Sequence, residues 1–230
     1  MRITPTACAP TACILALATV SLAFAPFAQA QNSAAYQERV RLDACLGQIQ
    51  IDPSEALERA QTWRLEGGGW PAEMCEARAL IELGEAVIGA DILVSLAERQ
   101  PIGMVDEERA ELYILAGDTR FTSGLVDGAA LAYDAALTLT PDSVPARLAR
   151  ARLLADAGDW AALAVDADAL ITHAPYLAAG WRYRGQSHLG LGELDLAWQD
   201  MQRAREQEPD DIPSLLLRGA ILEARRLAAD

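Results

Sequence analysis

The chain contains no lysine and only two histidines, His173 and His188. Without lysine there is no phosphate-binding loop of the G-x-x-x-x-G-K type, and neither a G-x-S-x-G nor an H-E-x-x-H motif occurs. A histidine takes part in catalysis only beside a nucleophile, a base or a metal, so a structural role is expected for each of the two. The sequence therefore predicts a protein that is not an enzyme, with no cofactor and no metal.

Basic residues are scarce beside acidic ones. There are 33 aspartates and glutamates against 19 basic residues, all of them arginine, and the formal net charge is −14. Such a charge repels nucleic-acid phosphates and anionic lipid headgroups. The composition thus argues against binding to nucleic acid or to a membrane surface, and it favours cationic or polar partners.

Long apolar runs are confined to the first 30 residues. Arg2 supplies a positive start, Ile14 to Phe27 is almost wholly apolar, and small residues at Ala28 to Ala30 precede a polar segment. This layout is typical of a secretory signal peptide, and the run is too short for a membrane span. We expect residues 1–30 to be removed and residues 31–230 to be periplasmic or secreted, without membrane insertion.

Cysteine is also rare: Cys8 and Cys13 lie in the predicted signal peptide, which leaves Cys45 and Cys75. In an oxidising compartment an even pair usually forms a disulfide. Two free thiols are the alternative. A redox-active pair is disfavoured because there is no C-x-x-C spacing.

Prolines recur at a fixed spacing, since Pro141, Pro175 and Pro209 are each 34 residues apart. Small or apolar residues stand at constant offsets before them: Gly117, Gly124, Ala129 and Ala136; Ala151, Gly158, Leu163 and Leu170; Gly185, Gly192, Ala197 and Ala204. Each unit holds two segments with helical periodicity, which predicts a helix pair. The predicted units span residues 37–69, 70–103, 110–143, 144–177 and 178–211. Six extra residues, Met104 to Arg109, precede the third unit, and their acids are expected to begin a helix.

The unit 178–211 resembles the tetratricopeptide repeat family. Matches to the family's tryptophan, glycines, alanines and proline are Trp181, Gly185, Gly192, Ala197, Ala204 and Pro209. The resemblance covers roughly residues 37–230 and implies an all-α fold, a right-handed α-solenoid of stacked helix-turn-helix repeats. Neighbouring first helices would lie side by side, so a Cys45–Cys75 bridge would join the first two. Residues 212–230 are expected to form a C-terminal capping helix that turns these side chains to water: Arg218, Glu223, Arg225, Arg226 and Asp230.

In this family the first helix of each pair lines the concave side. The resemblance therefore implies a candidate partner-binding groove formed by Arg78, Glu82, Ile114, Asp118, Phe121, Leu148, Arg152, Arg182 and Gln186. Arginines concentrate in two adjacent first helices: Arg147, Arg150, Arg152, Arg182 and Arg184. One hypothesis is that they bind an acidic peptide or a terminal carboxylate, because guanidinium groups bind carboxylates bidentately. The alternative is that Arg150 and Arg152 only pair with Asp156, Asp159 or acids on the next helix.

Two functions remain open at this point. The first is a non-catalytic periplasmic scaffold or adaptor that binds other envelope proteins and serves cell-envelope assembly or export. The second is binding of an envelope glycan such as peptidoglycan or a polysaccharide, for which stacking on exposed aromatic rings would be needed. The candidate rings are Trp63, Trp70, Trp160, Trp181 and Trp198.

Overall fold

In a computed structural model of the protein, residues 25–229 are described. The predicted signal peptide, residues 1–30, lies outside these residues except for the helical backbone of residues 25–30. The described chain forms eleven α-helices: α1 (Ala25–Ile49), α2 (Pro53–Leu65), α3 (Gly69–Glu82), α4 (Ala86–Arg99), α5 (Asp106–Thr122), α6 (Val126–Leu139), α7 (Val144–Ala157), α8 (Trp160–His173), α9 (Ala178–Gly190), α10 (Leu194–Gln207) and α11 (Ile212–Ala229).

Contacts divide the described residues into two units, one that ends at Val40 and one that begins at Arg41. Of the first unit, only the beginning of α1 is described. In the second unit, from α2 onward, each helix packs chiefly on its neighbours along the chain. The helices α5, α7, α9 and α11 also contact one another in succession. This is the arrangement that stacked helix pairs require.

The 34-residue period is visible in where the helices begin. The helices α7, α9 and α11 start at Val144, Ala178 and Ile212, and α8 and α10 start at Trp160 and Leu194. None of the described helices combines the length and the hydropathy that a membrane span needs. The all-α repeat architecture expected from the sequence is confirmed.

Local sequence signals explain the turns within the pairs. Between α7 and α8, Gly158 adopts a φ of 71°, a left-handed conformation that favours glycine. Asp159 follows and accepts a hydrogen bond from the Ala162 backbone N–H at 3.1 Å, which caps the start of α8. Ser143 caps α7 in the same way through the Ala146 N–H, at 3.3 Å. The α7–α8 pair is therefore begun and turned by its own local residues.

Small residues let the two helices of a pair approach closely. A Cβ atom added at Gly185 of α9 would lie 3.3 Å from the Ala197 carbonyl oxygen of α10 and 3.0 Å from a methyl group of Leu217 in α11. A Cβ at Gly117 of α5 would overlap the Tyr133 ring of α6. A bulky side chain at either position would force the helices apart.

The inserted segment Met104 to Arg109 does not simply separate two units, because α5 begins at Asp106 and takes in its last four residues. The Glu108 carboxylate accepts the Val105 backbone N–H at 3.0 Å and so caps the helix. Arg109 is buried and donates from Nε to the Ala97 carbonyl oxygen of α4 at 2.8 Å. The extra turn of α5 is thereby fastened to the end of α4.

The predicted polar outer surface of α11 is only partly present. Arg218, Glu223 and Arg226 are exposed, as expected. Arg225 is instead half-buried and donates to Asp195 at 2.7 Å, and Asp230 lies outside the described residues. Five large apolar side chains of α11 are also exposed: Ile212, Leu215, Leu216, Leu222 and Leu227. Of the charged side chains expected to face water, Arg225 is thus partly buried, and apolar residues share the exposed surface with the others.

A disulfide joins Cys45 of α1 to Cys75 of α3, the pairing that the sequence predicts. The two Cα atoms are 6.2 Å apart, within the usual range for a disulfide. Cys75 is fully buried in a small core with Leu42 and Trp63. The bridge thus connects the first helices of the first two pairs, next to the glycine-rich turn Gly67–Gly69.

Candidate functional site

The residues predicted to line a groove fall at equivalent positions of successive first helices. Ile114, Leu148 and Arg182 are each 34 residues apart on α5, α7 and α9. Asp118, Arg152 and Gln186 form a second series with the same spacing. Since α5 contacts α7 and α7 contacts α9, each series runs across neighbouring helices.

One subset forms a small polar and aromatic cluster between α5, α6 and α7. The Arg152 guanidinium lies 4.6 Å from the centroid of the Phe121 ring. The Tyr133 hydroxyl donates to the Asp118 carboxylate at 2.8 Å. Burial, together with this hydrogen bond, raises the pKa of Tyr133 above its ordinary value. Asp118 and Phe121 are thus occupied by neighbours within the fold, while Arg152 stays exposed.

Other predicted residues have different roles. Ile114 and Leu148 are partly buried and pack against two apolar cores of the stack. Arg78 is half-buried and Glu82 is exposed, both on α3. The helix α3 packs on α2 and α4, while the other seven predicted groove residues lie on α5, α7 and α9.

A groove of about 400 Å³ lies between α7, α9 and α11. It is lined by apolar residues, which include Ala155, Trp160, Leu189, Leu216 and Ala220, and also by the polar residue Gln186. Leu216 is 70% exposed. The groove therefore offers apolar surface to a ligand at the face where Gln186 was predicted to act.

Two buried side-chain atoms of α9, a helix that borders this groove, form no hydrogen bond with the described residues. Gln186 Oε1 and Arg182 Nε are buried and form no hydrogen bond with the residues that the structure describes. The Arg182 guanidinium lies over the Tyr183 ring at 4.4 Å, and its Nε is 3.7 Å from the Asp211 carboxylate. A buried acceptor without a donor is costly, so Gln186 would gain from a ligand N–H once its amide turned toward the groove.

Most arginines of this cluster form ion pairs within the fold. Arg150 donates twice to Asp166, at 2.7 and 2.8 Å, and once to Asp134 at 2.6 Å. Thirty-four residues later, Arg184 donates twice to Asp200 at 2.8 Å and once to Asp168 at 2.9 Å. These hydrogen bonds, above all those to Asp166 and Asp200, raise the pKa of both arginines.

The third arginine, Arg147, also donates to the fully buried Asp166, at 2.9 Å. Three of the five arginines are thus committed to acids of the preceding and following helices. Arg147, Arg150 and Arg184 are therefore engaged within the fold, and binding of an acidic peptide or a terminal carboxylate by this region stays a hypothesis. For Arg150 the alternative of pairing with acids on the next helix is correct, whereas Arg152 stacks on Phe121 instead of pairing with Asp156 or Asp159.

Both histidines lie against carboxylates. His173 Nε2 is 3.3 Å from Asp142, near the end of α8. His188 Nδ1 is 2.6 Å from Glu193, and its Nε2 is 3.5 Å from Asp200. Among the described residues no group of three or more His, Cys, Asp or Glu side chains is arranged to hold a metal ion.

The tryptophan faces that a glycan would need are mostly covered. Arginine guanidinium groups lie over the rings of Trp63, Trp181 and Trp198, at 4.7, 5.0 and 5.1 Å. The Trp160 ring lies so close to Gly190 that a Cβ there would overlap it. Trp70 is half-buried against a core. These rings therefore give no support to glycan binding.

Four lining residues of the groove were not predicted from the sequence: Trp160, Leu189, Leu216 and Ala220. Two of them lie one repeat after residues that were predicted to line the groove. Leu216 follows Arg182 by 34 residues, and Ala220 follows Gln186 by 34 residues. Leu189 follows from Phe121 after two repeats. The interpretation of α11 as a cap, and not as a further first helix, leaves out Leu216 and Ala220.

No family model matches the chain, and no curated protein matches it. Several solved structures are similar to it in fold. The chain resembles YrrB, described as a TPR protein with an unusual peptide-binding site, with a TM-score of 0.61 and 15% identity over 74% of this chain and 84% of that one. It resembles the MamA protein with a TM-score of 0.62 and 15% identity over 75% of this chain and 92% of that one.

A third likeness is to the first TPR of Spaghetti (RPAP3), solved with a bound HSP90 peptide. Its TM-score is 0.50, with 20% identity over 55% of this chain and 98% of that one. At these identities the likeness concerns the fold. The 34-residue helix pairs and the structural neighbours together show that the chain has the fold of a tetratricopeptide repeat solenoid.

Proposed function

We propose that the protein is a non-catalytic scaffold for protein–protein interaction, and that the groove between α7, α9 and α11 binds a segment of a partner polypeptide. The groove carries this proposal, because its lining includes exposed Leu216 and Gln186, whose buried Oε1 forms no hydrogen bond with the described residues. Peptide binding by YrrB and by the RPAP3 domain supports it by analogy of fold only.

The chemistry of the groove suggests what the partner segment is like. Trp160, Leu189 and Leu216 would bury an apolar side chain, and a backbone N–H of the segment would donate to Gln186. Asp156 also lines the groove and is exposed. With a net charge of −14 on the chain, the flanks of the segment are neutral or basic and not acidic.

The proposed location is the periplasm or the outside of the cell, and the proposed partners are other envelope proteins, in cell-envelope assembly or export. The apolar pattern of residues 1–30 supports this, and so does a disulfide, which persists in oxidising compartments. Fractionation of cells, with N-terminal sequencing of the product, tests it. A product that keeps its first residues inside the cytoplasm would contradict it.

The binding proposal is tested with a matched pair of variants. Peptides are selected from a random library on the immobilised protein, and their affinities are then measured by fluorescence anisotropy. Leu216→Glu places a charge in the groove, whereas Leu131→Glu places it on α6 at a residue that is equally exposed, at 70%. We expect Leu216→Glu to weaken binding by about tenfold or more and Leu131→Glu to leave it unchanged. Equal effects of the two variants, or no selected peptide, would contradict the proposal.

A further inference from the structure

The helices α9 and α11 take the same place in successive repeats, since they start 34 residues apart at Ala178 and Ile212. Each packs one side on the preceding pair: α9 contacts α7 and α8, and α11 contacts α9 and α10. The second side of α9 is covered by α10. Among the described residues, no helix covers the corresponding side of α11.

Equivalent residues show the difference directly. Ala178 is 4% exposed, and its counterpart Ile212 is 68% exposed. Gly185 is buried against α10, whereas a Cβ atom at its counterpart Gly219 would meet nothing within 4 Å. Glycine is a poor helix former, so Gly219 does not stabilise the exposed helix in which it lies.

Two leucines complete the surface. Leu215 and Leu222 are exposed where α9 has the half-buried Trp181 and His188. We call these four residues the α11 stripe: Ile212, Leu215, Gly219 and Leu222. Their spacing of three, four and three residues places them along one face of the helix, which is the pattern of a surface that receives another helix.

Charge identifies what kind of helix fits. In α7 and α9 the arginine that precedes the small residue binds a buried aspartate of the covering helix: Arg150 with Asp166, and Arg184 with Asp200. The equivalent residue of α11 is Arg218, which is exposed and has no ion pair with the part of the chain described here. An acid on a covering helix would complete the same arrangement a third time.

The covering helices α8 and α10 themselves supply the template. Each carries an apolar residue against its first helix and an aspartate three positions later, Leu163 with Asp166 and Ala197 with Asp200. All four residues are buried. A helix with this apolar-x-x-Asp pattern presents both groups on one face.

We propose that the α11 stripe and Arg218 dock one amphipathic helix of a partner protein, a helix with an apolar or small residue followed three positions later by an aspartate. The inference rests on the proposed scaffold role but uses a different side of α11, because the groove is lined by Leu216 and Ala220. The protein thus has two separate binding surfaces on its last described repeat.

The probe is a fluorescent synthetic peptide with the sequence of residues 193–208, which contains the α10 pattern. Anisotropy is measured against the full chain, folded as judged by circular dichroism. We expect saturable binding, and we expect Arg218→Glu to weaken the affinity by about tenfold. A peptide with lysine in place of its central aspartate should bind the Arg218→Glu variant more tightly than the original peptide does, because the two charges are then exchanged. Gly219→Leu fills the space at the centre of the stripe and should weaken binding to a similar extent.

The control is Arg203→Glu, the same charge change at an exposed arginine of α10 that pairs only with Glu206. It should keep wild-type affinity. No saturable binding up to about 1 mM peptide, or equal binding by Arg218→Glu and Arg203→Glu, would overturn the inference. Self-association in sedimentation velocity that Gly219→Leu abolishes would also overturn it, because a second copy would then cover the stripe.

The two proposals fail separately. Leu216→Glu should reduce binding of the library-selected peptides and leave the helical peptide unaffected, and Gly219→Leu should do the reverse. Loss of groove binding alone would remove the proposed groove and leave the α11 stripe in place.

Discussion

The helices α9 and α11 carry related residues at the same repeat positions, but only α9 is covered on both sides. Glycine and arginine recur at the two equivalent positions, as Gly185 with Arg184 and Gly219 with Arg218. In α9 the glycine admits α10 and the arginine binds Asp200. In α11 both are exposed. The comparison teaches that the repeat register sets the residue type, while the neighbouring helix decides what that residue contributes.

The largest difference in the free energy of unfolding is expected between the variants that remove Arg184 and Arg218. Arg184→Ala leaves the nearly buried Asp200 with His188 as its remaining partner, so we expect a loss of about 3 to 5 kcal/mol in the free energy of unfolding. Arg218→Ala should change it by less than about 0.5 kcal/mol, because the side chain is exposed. Urea unfolding followed by circular dichroism measures both. Similar losses in the two variants would break the comparison.

Loss of the disulfide should act on another part of the stack. Replacing Cys45 and Cys75 by serine opens a loop of 30 residues and is expected to cost about 3 kcal/mol. The difference between Arg184→Ala and Arg218→Ala should persist in this background, because the four residues are distant in the chain and share no contacts. Unfolding of the double-serine variant, with and without each arginine substitution, checks this. An unchanged unfolding midpoint after removal of both cysteines would contradict the expected role of the bridge.

The glycines give the next contrast. Gly185→Leu would drive a side chain into Ala197 and Leu217, and overpacking of this kind costs about 1 to 3 kcal/mol. Gly219→Leu has open space around it and should not destabilise the protein. Thermal unfolding of the two variants at equal concentration provides the test. A destabilised Gly219→Leu variant would mean that α11 is covered in solution.

The smallest expected effect is a gain in the free energy of unfolding. Gly219→Ala replaces glycine in an exposed helix interior, and we expect about 0.5 to 1 kcal/mol of added stability. Gly185→Ala serves as the matched variant and should lose stability, since its Cβ would press on α10 and α11. Denaturant titration resolves the two directions. A gain in both variants would show that helix propensity outweighs packing at this position.

Much of the fold is predictable from sequence because its determinants are local. The 34-residue proline spacing, the left-handed Gly158 and the capping Asp159 each specify a turn without reference to distant residues. The insertion before α5 was harder, because Arg109 binds a carbonyl of the preceding unit, a contact that no local pattern reveals.

The candidate site was predictable only in part. Gln186 does line the groove, but Arg150 and Arg184, which were predicted to bind a partner, bind Asp166 and Asp200 instead. Which charge pairs with which depends on the rotation of one helix against the next, and the pattern of a single sequence does not contain that rotation. The exposed Leu216 was missed for a related reason, since exposure depends on which neighbours are present.

Hydrogen exchange of α9 and α11 in the same sample tests the central comparison most directly. In the free protein we expect the amides of α11 around Gly219 to exchange faster than those of α9 around Gly185, since a helix covered on one side opens more readily. Addition of the helical peptide should slow exchange in α11 and leave α9 unchanged. Equal exchange of the two helices in the free protein, with no change on addition of the peptide, would contradict the account.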